Sequence, residues 1–268
     1  MSSGVPAGEA IVLSHRRATE TVYVLLHGMT ASPLQFINIA RALHSGGANV
    51  LVPCLPRHGL PDRMTDALAD LSTAELTTFA RETIERARAH GSRVVVVGFS
   101  LGGLLALWIA QHVFVERAVA IAPFMGAVAV PHALGMSVAR HALAHKNRFL
   151  WWHPLLRERL MPEHGYPRYP THAVARLYPL VEELLSAAQS VPPCAADILI
   201  VSNAGEMAVN NAGARRLARL WRAQPAPVNV RIHRLRGLPP SHDIIEPLRS
   251  PALEARVLPK LLELIAQQ

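Results

Sequence analysis

Cysteine is nearly missing from this chain. Its 268 residues hold two, Cys54 and Cys194, which is no disulfide framework, and their spacing is no metal motif. The expectation is two free thiols in a reducing compartment. Lysine is as scarce: Lys146 and Lys260 are the only two, so the net charge of +8 rests on arginine. The arginines are scattered, as in Arg81, Arg86 and Arg88 or Arg215, Arg216 and Arg219. No basic run, zinc-finger spacing or aromatic RNP-like segment goes with them, so they read as solvated faces and not as a nucleic-acid site. Apolar runs are short or interrupted, which excludes an expected membrane span. The opening MSSGVPAGEAIVLSHRR lacks the basic start and continuous apolar core of a signal peptide, and the expected address is the cytoplasm. Internal repeats and low-complexity tracts are missing too.

What remains is apolar. Hydrophobic residues make up 50% and charged residues 17%, enough for a sizeable core. Strand-like and helix-like segments alternate: TVYVLLH, PLQFINIARALHSGG, ANVLVPCL, STAELTTFARETIERARAH, RVVVVGF, SLGGLLALWIAQH and VERAVAIAP. Ser32–Pro33 and Ser72 with Glu75 mark two helix starts. Nearly continuous Val/Ile/Leu strands between helices predict an α/β fold, a mostly parallel sheet with helices on both faces. From Pro123 to Pro193 the alternation stops. That stretch shows no clear strand and reads as short helices and loops. Alternation resumes with DILIVSN, NNAGARRLARLWRA and PVNVRIHRL, followed by a last helix from Pro251. The expected organisation is one core, 1–122 and 194–268, interrupted by a cap or lid at 123–193.

Gly98-Phe99-Ser100-Leu101-Gly102 sits where the strand RVVVVGF meets the next helix. A G-x-S-x-G at that junction lifts a hydroxyl clear of a sheet by a sharp turn, and the residues two before and two after the serine must be small. The serine then lies at a helix N-terminus, where free N–H groups favour developing negative charge. A serine is a weak nucleophile without a base. His242, in GLPPSHDIIEP between the last strand and last helix, is the candidate; His233 lies within a strand pattern. His141 and His145 are four apart, as on one helix face, but have no evident carboxylate or cysteine partner for a metal. Glu206 is the only acid in the loop NAGEMAVNN after DILIVSN, whereas Asp197 precedes that strand. LLHGMTASP, Leu25 to Pro33, ends an earlier strand in His27-Gly28, and His27 reads as a loop brace.

Together, H-G-M-T-A-S-P, P-R-H-G at Pro56 to Gly59, G-F-S-L-G-G and H-D-I-I-E-P resemble the α/β-hydrolase superfamily, over essentially the whole chain. Within it they look like small serine carboxylesterases and monoacylglycerol-lipase-like enzymes. The resemblance implies a triad in the chain order Ser100, Glu206, His242, and an oxyanion hole made by the N–H groups of Met29 and Leu101. It implies hydrolysis of a small-molecule ester with an apolar acyl group through an acyl-enzyme, with no cofactor and no metal. Met125, Leu150, Trp151 and Trp152 are candidates to line the acyl pocket, or equally to pack within the cap. Two positions depart from the pattern: Glu206 stands where Asp is usual, and Arg57 where glycine is common. The same triad also serves thioester, lactone, amide or carbon–carbon cleavage. Aspartate-nucleophile chemistry does not fit Ser100, and a non-catalytic binding protein would lack a triad member.

Overall fold

Four valines in a row leave a strand no polar face to turn to water, so both faces must be covered. The computed structural model, which describes residues 8–160, 162–225 and 228–267, meets that demand with one seven-stranded sheet. In chain order the elements are β1 (Ile11–Leu13), β2 (Thr19–Leu26), α1 (Ile37–Ser45), β3 (Asn49–Val52), α2 (Thr73–Ala87), β4 (Gly91–Phe99), α3 (Leu101–His112) and β5 (Arg117–Ile121). Then come α4 (Gly135–Ala144), β6 (Phe149–Trp151), β7 (Arg168–Pro170), α5 (Thr171–Ser190), β8 (Asp197–Asn203), α6 (Asn211–Arg222), β9 (Asn229–Leu235) and α7 (Pro251–Ala266). The sheet order is β1-β3-β2-β4-β5-β8-β9, parallel throughout except for β1 against β3.

Helices α1 and α7 pack together, while α2, α3, α5 and α6 pack in a row. That gives a helical layer on each face. The central α3 is apolar all round and buried from Leu101 to Gln111, as expected of a helix pressed between sheet and neighbouring helices. Among the described residues no helix is long and apolar enough to cross a membrane.

Three local features differ from the sequence expectation. The first predicted helix is a 3₁₀ turn, Pro33–Phe36, followed by α1. Ser32 Oγ accepts the Leu34 N–H at 3.3 Å and draws that turn tight. Second, the 123–193 stretch contains strands after all: β6 and β7 form a small antiparallel pair, with Leu150 opposite Tyr169. At three residues each they are too short to show a period of two. Third, α5 runs for 20 residues through Pro179. Its buried face, including Leu177, Val181, Leu184 and Leu185, outweighs the roughly 3 kcal/mol that an interior proline costs. Helix α5 packs on α4 as well as on α2, α3 and α6, so one helix ties the 123–193 stretch to the helices beside the sheet.

At the N-terminal edge of the sheet, Arg117 is buried and meets Asp197 at 2.8 Å. Its guanidinium also donates to the carbonyls of Leu264 and Ile265 at the end of α7. Asp197 in turn pairs with Arg231 of β9 at 3.1 Å. This is a structural post for Asp197, at the far end of the sheet from Ser100. Arg117→Met would strip Asp197 of its buried partner, and urea denaturation should show a loss of about 3 kcal/mol.

Candidate active site

The strands β2, β4, β5, β8 and β9 all run the same way, so the loops after their last residues gather at one edge of the sheet. Met29, Ser100, Glu206 and His242 all lie in those loops. Register keeps the ends level: Leu26 pairs with Gly98, Phe99 with Ile121, and Asn203 with Leu235.

Ser100 takes φ 55° and ψ −110°, a strained conformation for a residue with a side chain. Its N–H donates to the Ile121 carbonyl at 3.0 Å, and its carbonyl accepts from Phe124 at 2.9 Å. The chain turns so sharply that a Cβ on Gly98 would stand 1.9 Å from the Gly102 carbonyl oxygen. A Cβ on Gly102 would stand 2.0 Å from that of Leu26. The small-residue requirement is therefore backbone against backbone, with no flexible atom to yield.

His242 Nε2 is 2.8 Å from Ser100 Oγ, and His242 Nδ1 is 2.9 Å from Glu206 Oε1. The structure thus brings the three predicted residues into one hydrogen-bonded chain. Glu206 is 2% exposed at its side chain and His242 17%. Burial pulls the Glu206 carboxyl upward. The His242 hydrogen bond and charge, with the N–H groups of Ala208 and Val209, outweigh it and hold the group below the usual carboxylate range.

The turn from Gly28 to Thr30 is set by histidines. His27 Nε2 accepts the Leu55 N–H at 3.0 Å, so its Nδ1 carries the proton and donates to the Gly28 carbonyl at 2.9 Å. A trans peptide points its N–H opposite its C=O. Pinning the Gly28 carbonyl therefore aims the Met29 N–H the other way. His58 works alike, accepting the Thr30 N–H at 3.1 Å through Nε2 while Nδ1 donates to the Pro56 carbonyl. Burial pushes His27 well below the ordinary imidazole range and His58 down to about 4, so both stay neutral.

Met29, Ser100, Leu101 and His242 line one cavity of about 650 Å³. Phe124, Val128, Val174, Leu177 and Val209 form an apolar side; Gln35, His164, Asp243, Glu246 and Arg249 form a polar one. Of the four candidate lining residues only Trp152 is there, its Nε1 donating to Thr30 Oγ1 at 2.7 Å. Met125 is fully buried against Gly213 of α6. Leu150 is 44% exposed on β6, and Trp151 faces Arg157, 5.3 Å from ring to guanidinium. The alternating pleat of β6 sends neighbours apart, which a string of adjacent apolar letters does not reveal. The rings of His141 and His145 lie 4.1 Å apart, tilted by 36°, at the end of α4.

Residues 23–256 match the model of the alpha/beta hydrolase family. The chain belongs to that family. Its fold is shared by a monoacylglycerol lipase of Paleococcus ferrophilus, with TM-score 0.70, 17% identity, and 96% and 97% of the two chains covered. A soluble variant of the Saccharomyces cerevisiae monoglyceride lipase gives TM-score 0.68 at 12% identity, covering 96% and 90%. A structure from work on LipS and LipT, metagenome-derived lipolytic enzymes, gives 0.68 at 16%, covering 97% and 98%. No curated protein matches the chain.

Two polar residues at the site escape a sequence reading. Asn203, fully buried at the end of β8, donates from Nδ2 to the Ser241 carbonyl at 2.8 Å and accepts the Gly205 N–H at 3.0 Å. It joins the Glu206 loop to the His242 loop. Gln35 does similar work on the other side of the site. Their partners lie far along the chain, and no local spacing marks them. Arg57 is legible in hindsight: its φ of 65° explains the glycine preference there, and its pairing with Glu75 at 3.0 Å holds the larger side chain. Substituting Gly102 by Ala should cost the fold upwards of about 4 kcal/mol, read as loss of the cooperative urea transition.

Proposed function

We propose that the protein is a serine hydrolase that cleaves carboxylic esters of small molecules through an acyl-enzyme. The observation that carries this reading is the hydrogen-bonded chain Ser100–His242–Glu206 opening into a cavity with an apolar side. The lipolytic activities named for the three similar structures support an acyl ester as substrate.

Ser100 Oγ attacks the ester carbonyl while His242 Nε2 takes its proton. Charge then develops on the carbonyl oxygen, where the N–H groups of Met29 and Leu101 receive it. Leu101 is the first residue of α3, so its N–H has no intrahelical partner to give up. Glu206 holds the imidazole by Nδ1 and stabilises its cation. The imidazolium gives its proton to the leaving alcohol. Water, deprotonated by the same nitrogen, then releases the acid and frees Ser100. The apolar side from Phe124 to Leu177 suits the acyl group, and the insertion at 123–193 acts as the cap that closes over it. The cavity volume is ordinary for a small-molecule site.

Ser100→Ala should abolish hydrolysis of p-nitrophenyl acyl esters of graded chain length and labelling by a fluorophosphonate, with the fold intact by circular dichroism. Turnover surviving in that variant would overturn the reading. Glu206→Gln should lower kcat on the order of 10³-fold or more while Ser100 stays in place, because a neutral amide neither fixes the Nδ1–H tautomer nor stabilises the imidazolium. Steady-state kinetics on the same aryl ester measures it.

A further inference from the structure

Gln35 is 2% exposed, and a buried amide needs partners at both ends. Its Oε1 accepts the Gly28 N–H at 2.9 Å. Its Nε2 faces both carboxylate oxygens of Asp243, at 3.3 and 3.4 Å. One end thus touches the residue before Met29, and the other the residue after His242. The 3₁₀ turn that presents Gln35 is itself anchored. Ser32 Oγ lies 2.9 Å from His164 Nδ1, and His164 Nε2 lies 3.3 Å from buried Glu246.

The Gly28 position shows what the contact does. Its carbonyl is held by His27 and its N–H by Gln35, so the peptide planes on both sides are fixed. Glycine is the residue most free to rotate when one of these holds is released. The plane on the far side carries the Met29 N–H.

Taking Ser100 as the nucleophile, we propose that Gln35 is a positioning residue that sets the oxyanion turn and the His242 loop at one fixed separation. Base and oxyanion donors must address the same carbonyl, one at the serine oxygen and the other at the carbonyl oxygen. A strut between their two loops keeps both in reach as charge moves between them.

The groups facing Asp243 give the test a pH handle. They are Glu246, His242 and Arg249 from its own loop, Gln35 from the 3₁₀ turn, and His164 from the insertion by way of Glu246. Burial, then the Glu246 charge, pushes Asp243 up to about 6. In Gln35→Glu, a protonated carboxyl can still accept from Gly28 and donate to Asp243. Above that range both carboxylates ionise and repel.

The experiment measures kcat and KM on an aryl ester for wild type, Gln35→Met and Gln35→Glu, with kcat expressed per serine titrated by fluorophosphonate. Gln35→Met should lose kcat by about 10-fold or more at every pH, with KM nearly unchanged. Gln35→Glu should approach wild type near about pH 5, and its kcat ratio to wild type should fall about 10-fold by about pH 8. Because Gln35→Glu keeps both contacts when protonated, it decides the matter even if Gln35→Met does not fold. Fewer titratable serines with unchanged kcat per serine and a flat ratio would mean a purely structural glutamine, and would overturn the proposal. A wild type that neither labels at Ser100 nor cleaves any ester would instead overturn the serine-hydrolase reading itself.

Discussion

Everything at this site hangs on the contact of backbone with backbone around Gly98 and Gly102. Strand β4 passes to α3 through a single residue, and that residue is Ser100. The turn is possible only because no Cβ stands at either glycine, where one would meet a carbonyl oxygen at 2.0 Å or less. Strain at Ser100 is the result, and the hydrogen bonds to Ile121 and Phe124 keep it from relaxing. The buried strands on both sides of β4 make the anchor stiff. A hydroxyl in the middle of apolar sequence is thereby a hydroxyl held at the sheet's edge, with a helix N-terminus behind it.

Around that fixed point, burial sorts the histidines by task. His27 and His58 are buried against the Gly28–Thr30 turn and pushed down in pKa, so they remain neutral acceptors. An imidazolium at either position would lose the lone pair that receives Leu55 or Thr30. His242 differs in being partly open to the cavity, with a carboxylate on one ring nitrogen and the serine hydroxyl on the other. That arrangement leaves its ring bonded at both nitrogens to side chains and not to the backbone. The same side chain therefore braces in one place and links a hydroxyl to a carboxylate in another, and the distinction lies in surroundings that its sequence neighbours do not display.

Legibility follows from the range of the forces involved. The elbow can be read because its demands are local: apolar strand, two small residues, helix. Glu206 and His242 can be read because each lies in a loop after a recognisable strand, and only one acid stands in the first of those loops. Gln35 and Asn203 cannot, since the first bonds a residue 208 positions away and the second one 38 positions away. The β6–β7 pair hides for want of length, and α5 hides behind Pro179. Among Met125, Leu150, Trp151 and Trp152, hydrophobicity says only that each seeks cover. Whether the cover is core, cap surface or cavity is decided by packing, which placed Trp152 alone beside Thr30 at the cavity.

Glutamate at position 206 has one methylene and one torsion more than an aspartate, which should loosen its carboxylate. The loop removes that freedom. Oε1 alone accepts from the N–H groups of Met207, Ala208 and Val209 and meets His242 Nδ1, while Oε2 is buried with no hydrogen-bond partner among the described residues. Three consecutive N–H groups converging on one oxygen form an anion-binding concavity. A partial rotation of the carboxylate would draw that oxygen out of the concavity and give up those contacts together. The longer side chain is thus fixed by its own backbone, and the imidazole inherits an orientation as firm as a shorter acid would give it.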